Sequence, residues 1–417
     1  MARMIRKALS LLLCAALLFA LAPVTAVHAE GTSGTCGADL VWVYNTETNT
    51  LTISGTGKMD DYSFNNSNGL ITNNAPWRVY YSMMKSVVIN SGVTSIGDSA
   101  FAGFTVLKSV TMPDSITSIG RSSFYKCKSL PSVNISKGVK TIHYSAFKEC
   151  SGLTSLILPN GVTSIGERAF CDCEGLTSFV IPDSVTSLGQ FAFYSCDGLT
   201  DVTIGSGLTS LSYSAFGVCG RLTNVTFSDN LKNIDERAFY ACHALTGIWI
   251  PEGVTTIEKY AFEKCENLTS VMIPDSVTSM GYKAFDGCSD DLVIYSGYRT
   301  CAQQFAEEYN ITFVLGIATT VVVSDLTMNW KSKAALDPTV TTPKGMGYTV
   351  AYSSSDPSVV SIDENGEMTG LKKGKATVTV TVTNAVNRTV TDSCTVTVKY
   401  TVLQWIIVYL LFGWIWY

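Results

Sequence analysis

Apolar residues return along most of this chain with a fixed step of 23 positions. Val93, Ile116, Val139, Val162, Val185, Leu208, Leu231, Val254 and Val277 open nine successive copies. Three residues on stands a second aliphatic column, Ile96, Ile119, Ile142, Ile165, Leu188, Leu211, Ile234, Ile257 and Met280. Eight residues on, every copy carries Phe, from Phe101 to Phe285. A constant period of roughly 20–50 residues marks a solenoid, whose single units cannot bury their apolar face alone, so that only the stack is stable. A Phe in each coil predicts rings packed on the ring above and below, each burying about 150–250 Å².

Later in each copy the apolar residues are spaced by three and two, as in Leu176, Phe179 and Ile181 or Leu268, Val271 and Ile273. This is the L-x-x-L-x-L pattern of a leucine-rich repeat, a short strand whose alternate side chains enter the core. Pro182-Asp183-Ser184 ends the strand in a turn. The stretch Glu167 to Phe170 is expected as a helical turn or loop on the opposite side. With strands ~4.8 Å apart, nine coils make a sheet roughly 40 Å long.

The flanks lose the period. Met1 to Lys7 is basic, Ala8 to Ala22 is apolar and Val27-His28-Ala29 offers a small-residue cleavage site. Residues 1–29 therefore read as a secretory signal peptide, and the protein is expected to be exported. Residues 30–92 are expected as an N-terminal cap: strands over Leu40–Tyr44 and Thr50–Ser54, a loop over Asp60–Asn74, and a repeat-like strand at Lys85–Ile89. Trp42 and Trp77 read as cap packing. Residues 93–316 form the solenoid with its C-terminal cap: a strand at Leu292–Tyr295, a helix over Thr300–Tyr309 and a strand at Ile311–Leu315. From about Ile317 to Tyr400 the chain alternates Thr and Val with turns at Asp363–Gly366 and Lys372–Lys375, the period of a small β-sandwich. The predicted fold is therefore mainly β, a solenoid followed by a sandwich.

Composition narrows the chemistry. Charged residues are 15% of the chain and the formal net charge is −5. An acidic chain without a Lys/Arg block has no electrostatic footprint for nucleic acid. Only three His are present. His143 and His243 have no acid or nucleophile at a recognisable spacing, and no Ser lies in a G-x-S-x-G setting. Cys171-Asp172-Cys173 lacks a second ligand pair at metal-site spacing. No catalytic set, metal or cofactor is called for. The cysteines Cys127, Cys150, Cys173, Cys196, Cys219, Cys242, Cys265 and Cys288 form one column, where the first copy has Phe104. Neighbouring rungs could come within disulfide range. The favoured reading is a column of buried free thiols.

Function must lie in positions that packing leaves free. On the strand these form three columns, of which the last reads Thr111, Asn134, Ile157, Val180, Thr203, Thr226, Trp249 and Met272. Thr and Ser columns also suit strands structurally. Ile157, Val180, Thr203, Thr226, Trp249 and Met272 are the candidate binding residues of the concave face. Trp249 and Met272 are expected to be the sharpest departure, large and apolar where the fold expects solvent. The competing reading packs Trp249 on neighbouring coils or on the following domain.

The motif carried by Val162–Pro182, VTSIGERAFCDCEGLTSFVIP, resembles the BspA-type leucine-rich repeats of bacterial surface proteins, over about Gly31 to Gly316. The resemblance implies extracellular recognition, often adhesion to host or matrix proteins. Tyr352–Gly366 and Gly370–Val378 are similar to the bacterial Ig-like group 2 domain, which implies a spacer or adhesion role over residues 317–400. Cys394 has no partner there, so no Ig-type core disulfide is expected.

Residues 401–417 end the chain with the uncharged run Val402–Tyr417. Sixteen residues span ~24 Å as a helix, short of the ~30 Å hydrocarbon core. Membrane or envelope contact through this run is one expectation; a strand sealing the Ig-like domain and an oligomerisation surface are the others. The sequence thus points to a non-enzymatic secreted or cell-surface protein that binds an extracellular protein or glycan through its solenoid. The other reading is a structural envelope protein without a specific host ligand.

Overall fold

A computed structural model describes residues 32–404, apart from 68–69, 298, 316–319, 343–346 and 385–388. Residues 1–29, expected as a signal peptide, and most of the tail, residues 405–417, lie outside the described residues.

The 23-residue copies wind into parallel coils that stack in register. One layer carries the three-residue parallel strands of the L-x-x-L-x-L segment in successive short sheets, such as that of Ser178–Val180, Asp201–Thr203 and Asn224–Thr226. A second carries two-residue strands at the start of each copy, such as Ser164–Ile165 against Thr141–Ile142 and Ser187–Leu188. Their inward residues, with the Phe column, make one continuous core from Cys36 to Ala306.

The Phe rings stack as expected. Consecutive rings from Phe101 to Phe285 lie 5.1–5.7 Å apart with planes within 16° of parallel. Trp77 extends the column at the N-terminal end, 5.6 Å from Phe101, and Phe305 closes the other end edge-on at 6.0 Å from Phe285.

The Ala-Phe stretch is neither a helix nor an open loop. Two residues per coil hold positive φ: Arg168 and Asp172 at 55° and 60°, Ser214 and Val218 at 49° and 59°. Between them the backbone turns every second amide along the stack. Arg168, Phe170 and Asp172 donate to the carbonyls of Gln190, Ala192 and Tyr194 at 2.8–2.9 Å, and the same triple recurs from Ser99 to Lys264. This third side is a hydrogen-bonded ladder that needs left-handed backbone at residues that are mostly not glycine. Coils approach closely elsewhere too: a Cβ on Gly166 would lie 2.6 Å from the His143 carbonyl carbon.

The N-terminal cap is an antiparallel unit of Ser33–Gly37, Asp39–Asn45 and Thr50–Lys58, the last strand pairing in parallel with Ser86–Ile89 and Val93–Ile96. Trp42 and Trp77 are buried and pack edge to face at 6.0 Å. The expected loop at Asp60–Asn74 instead contains a hairpin, Phe64–Ser67 with Leu70–Asn73. At the C-terminal end the helix spans Cys301–Glu308, N-capped by the Thr300 side chain, and is followed by the strand Thr312–Leu315. Beyond it a separate core forms between the sheet of Leu326–Asn329, Thr389–Lys399, Gly374–Asn384 and Tyr348–Ser354 and a smaller sheet of Lys333–Ala335, Glu367–Gly370 and Val360–Ile362.

Candidate binding surface

The strand column expected on the concave face divides into an open half and a covered half. Ile157 is 82% exposed and Val180 60% exposed, on neighbouring strands. Thr203 and Thr226 continue the column in register with Val180 and are exposed. Around them the face is polar. Thr200 and Thr223 turn their hydroxyls back to the carbonyls of Thr177 and Thr200, at 3.0 and 3.1 Å. Asn224 Nδ2 donates to Asp201 at 2.7 Å. These side chains stiffen the sheet by bonding along it.

The expectation that Met272 stands exposed is corrected: it is only 8% exposed. It lies in register with Trp249 on one side and Tyr295 on the other, and Tyr295 faces Val314 on the next strand. Four large side chains in one column cover one another and form a small apolar cluster. Trp249 is half-buried in it. A cavity of about 550 Å³ opens beside it, lined by Thr226, Phe227 and Trp249 and by Thr389 and Val390 of the Ig-like region. The packing reading of Trp249 on neighbouring coils is the one its surroundings match.

The structure adds a groove that the strand columns did not single out. About 610 Å³ in volume, it runs over the second sheet, with Ser95, Ser118 and Ser164 on its floor and Asp98, Arg121, His143, Tyr144 and Glu167 along its wall. The Arg121 guanidinium lies 5.7 Å from the Tyr144 ring centroid. The signal was available: these are successive coil-edge positions, and His143 replaces a usual Gly. His243 lies apart, 3.6 Å from the Glu266 carboxylate.

The described cysteines are free, and the column is buried except for the half-buried Cys288. Each ladder thiol donates to the carbonyl of a Phe one coil back, at 3.1–3.3 Å from Cys127 to Cys288. Burial pushes the Cys219 and Cys288 thiols up to about 12, and moves the other rungs in the same direction. Such thiols are neither nucleophiles nor ready metal ligands. Cys171 is also pushed up to about 12, chiefly by burial and against the lowering effect of Lys148. Among the described residues no group of three or more His, Cys, Asp or Glu is placed to hold a metal ion. No helix among them is long and apolar enough to cross a membrane.

A register-locked stack of coils with a Phe core and L-x-x-L-x-L strands defines a leucine-rich-repeat solenoid. The family described as BspA type Leucine rich repeat region matches residues 78–190 and 163–290 with six copies, so that more than half of the chain is covered. The chain belongs to this family. Residues 318–398 match the bacterial Ig-like domain (group 2).

An uncharacterized protein of Clostridium acetobutylicum is 47% identical over 49 residues, 12% of this chain and 12% of that relative's length. A leucine-rich repeat protein of Eubacterium ventriosum shares 22% identity over 62% of this chain and 95% of that one, with a TM-score of 0.37. One from Bacteroides ovatus shares 20% over 66% and 98%, with a TM-score of 0.39. A leucine rich cell surface protein of Faecalibacterium prausnitzii shares 24% over 66% and 97%, with a TM-score of 0.28.

Proposed function

We propose that this is an exported, non-catalytic protein of the cell surface or extracellular space that binds a macromolecule, an extracellular protein or glycan, through the concave face of its solenoid. The observation that carries this reading is the side-by-side exposure of Ile157 and Val180. They stand on the neighbouring strands Ser155–Ile157 and Ser178–Val180, among free positions that are mostly Ser, Thr, Asn and Asp, with Lys108 and Pro131 towards the N-terminal end. Two neighbouring apolar side chains held in water by the tightly stacked coils lose little entropy on binding. Thr203 and Thr226 extend the contact along the same column. Trp249 serves as the firm wall at the far end of this surface, braced by Met272. The Ig-like region acts as a spacer, and Val402–Tyr417 holds the protein at the envelope.

The test is an array of extracellular-matrix proteins and glycans probed with the full chain and with an Ile157→Asp/Val180→Asp variant. Signals present with the parent chain and lost with the variant support the reading. Signals equal for both would move the binding site elsewhere.

A further inference from the structure

The two ends of the solenoid treat their backbone groups differently. Inside the stack, each coil accepts three amides from the preceding coil on its ladder side. The first coil has no preceding coil, and the N-terminal cap supplies the donors instead. The Tyr62 amide meets the Asp98 carbonyl at 2.8 Å, the Trp77 indole N–H meets Ala100 at 2.8 Å, and the Asn73 amide group reaches Ser99 at 2.6 Å and Ala102 at 3.5 Å.

The last coil has no such complement. Its ladder amides belong to Lys283, Phe285 and Gly287, and among the described residues none of them has an acceptor. On the adjoining sheet side, the carbonyls of Thr255 and Ile257 accept from the next coil at Thr278 and Gly281, at 2.9 and 2.7 Å. The equivalent carbonyls of the last coil, Thr278 and Met280, accept from no described residue. The cap helix Cys301–Glu308 covers the apolar centre through Ala302, Phe305 and Ala306 and approaches the Ser279–Met280 strand, but it stands off from the row of ladder amides. A cavity of about 310 Å³ lies between the donor row and Phe305, Tyr309 and Ile311.

Five polar backbone groups in sequence, two acceptors then three donors, are the template for one more coil. Alternating left-handed backbone with successive N–H groups can also form an anion site. Here the charge opposes that: Asp286 and Asp290 line the cavity with Lys283, which is paired with Asp286 at 3.2 Å, and Asp291, Glu307 and Glu308 are exposed on the flanking segments against Arg299. A second copy stacked head to tail does not fit either, because its N-terminal acceptors are already used by Tyr62, Trp77 and Asn73. We propose that this edge binds an extended, positively charged polypeptide segment of a partner protein. The segment lies along Thr278–Gly287 as a further coil, its amides on the Thr278 and Met280 carbonyls and its carbonyls on the three free amides. This is addition of a strand to an open edge, with main-chain bonds giving affinity and the acids selecting basic side chains. It is independent of the concave-face reading.

The experiment is residue-resolved amide hydrogen exchange on the full chain. In the free protein the amides of Lys283, Phe285 and Gly287 exchange at least about tenfold faster than their counterparts Tyr260, Phe262 and Lys264, which are bonded to the next coil. A synthetic octapeptide of alternating Lys and Thr, at millimolar concentration, slows the three amides by about tenfold or more. An alternating Glu–Thr peptide and inorganic phosphate leave them unchanged. Equal protection in the free protein, no slowing by the Lys–Thr peptide, or equal slowing by phosphate would each overturn the proposal.

Discussion

The Cys173 thiol donates at 3.2 Å to the Phe147 carbonyl, which also accepts the Cys150 amide at 3.2 Å. Both lone pairs of a buried carbonyl are thereby used, and the thiol bridges two coils. Cys173→Ala removes the donor and leaves a void the size of a sulfur atom. It is expected to cost about 1–3 kcal/mol, measured by chemical denaturation. A neutral result would mean that the column fills space and nothing more.

The same burial makes the protein labile to alkali. The thiols start from 9.0, and those of Cys219 and Cys288 rise to about 12 in the folded chain. The unfolded state loses these protons first as pH rises. The contribution is therefore complete below about pH 9 and is lost progressively towards about pH 12, by about 1.4 kcal/mol per thiol per pH unit. Denaturation midpoints should fall steeply between about pH 9 and pH 10. Cys219→Ala should make that fall shallower by about one proton.

Val218 holds φ of 59°, a left-handed conformation that a β-branched residue adopts only under strain. Gly103 occupies the equivalent place in the first coil at φ of 81°. Val218→Gly should therefore stabilise the protein, by about 0.5–1 kcal/mol after the entropy cost of glycine. Gly103→Val should destabilise it by about 1–2 kcal/mol. Thermal unfolding of the two variants checks both signs.

Trp249 braces Met272, so Trp249→Ala should lower stability by about 1–3 kcal/mol whatever it does to binding. Parent-like stability would contradict the packing role given to the Trp249–Met272–Tyr295 column.

Much of this architecture could be read from the chain because the repeat exposes packing directly. A column that is Phe in nine coils has one explanation, a shared stack, and the rings stack. The ladder side was hidden. Its left-handed positions are filled by Ser, Arg, Lys, Glu, Asp, Phe, Tyr, Val and Ala, with glycine only at Gly103 and Gly287, and its bonds join main chain to main chain without a side-chain signature. Met272 misled because its cover comes partly from Tyr295, a residue outside the regular copies. The hairpin at Phe64–Asn73 was hidden by Asn-rich strands that look like loop. For the binding surface, the sequence supplied the column, and side-chain exposure shifted its weight from Trp249 and Met272 to Ile157 and Val180.

The central claim is that the concave face binds. Its most direct test titrates a ligand found on the array against the parent chain, Ile157→Asp/Val180→Asp, and Val79→Asp, which changes an exposed residue of the N-terminal cap. All three should unfold at similar denaturant concentrations. The concave-face variant should bind at least about tenfold more weakly while the cap variant matches the parent. Unchanged affinity in the concave-face variant would contradict the account.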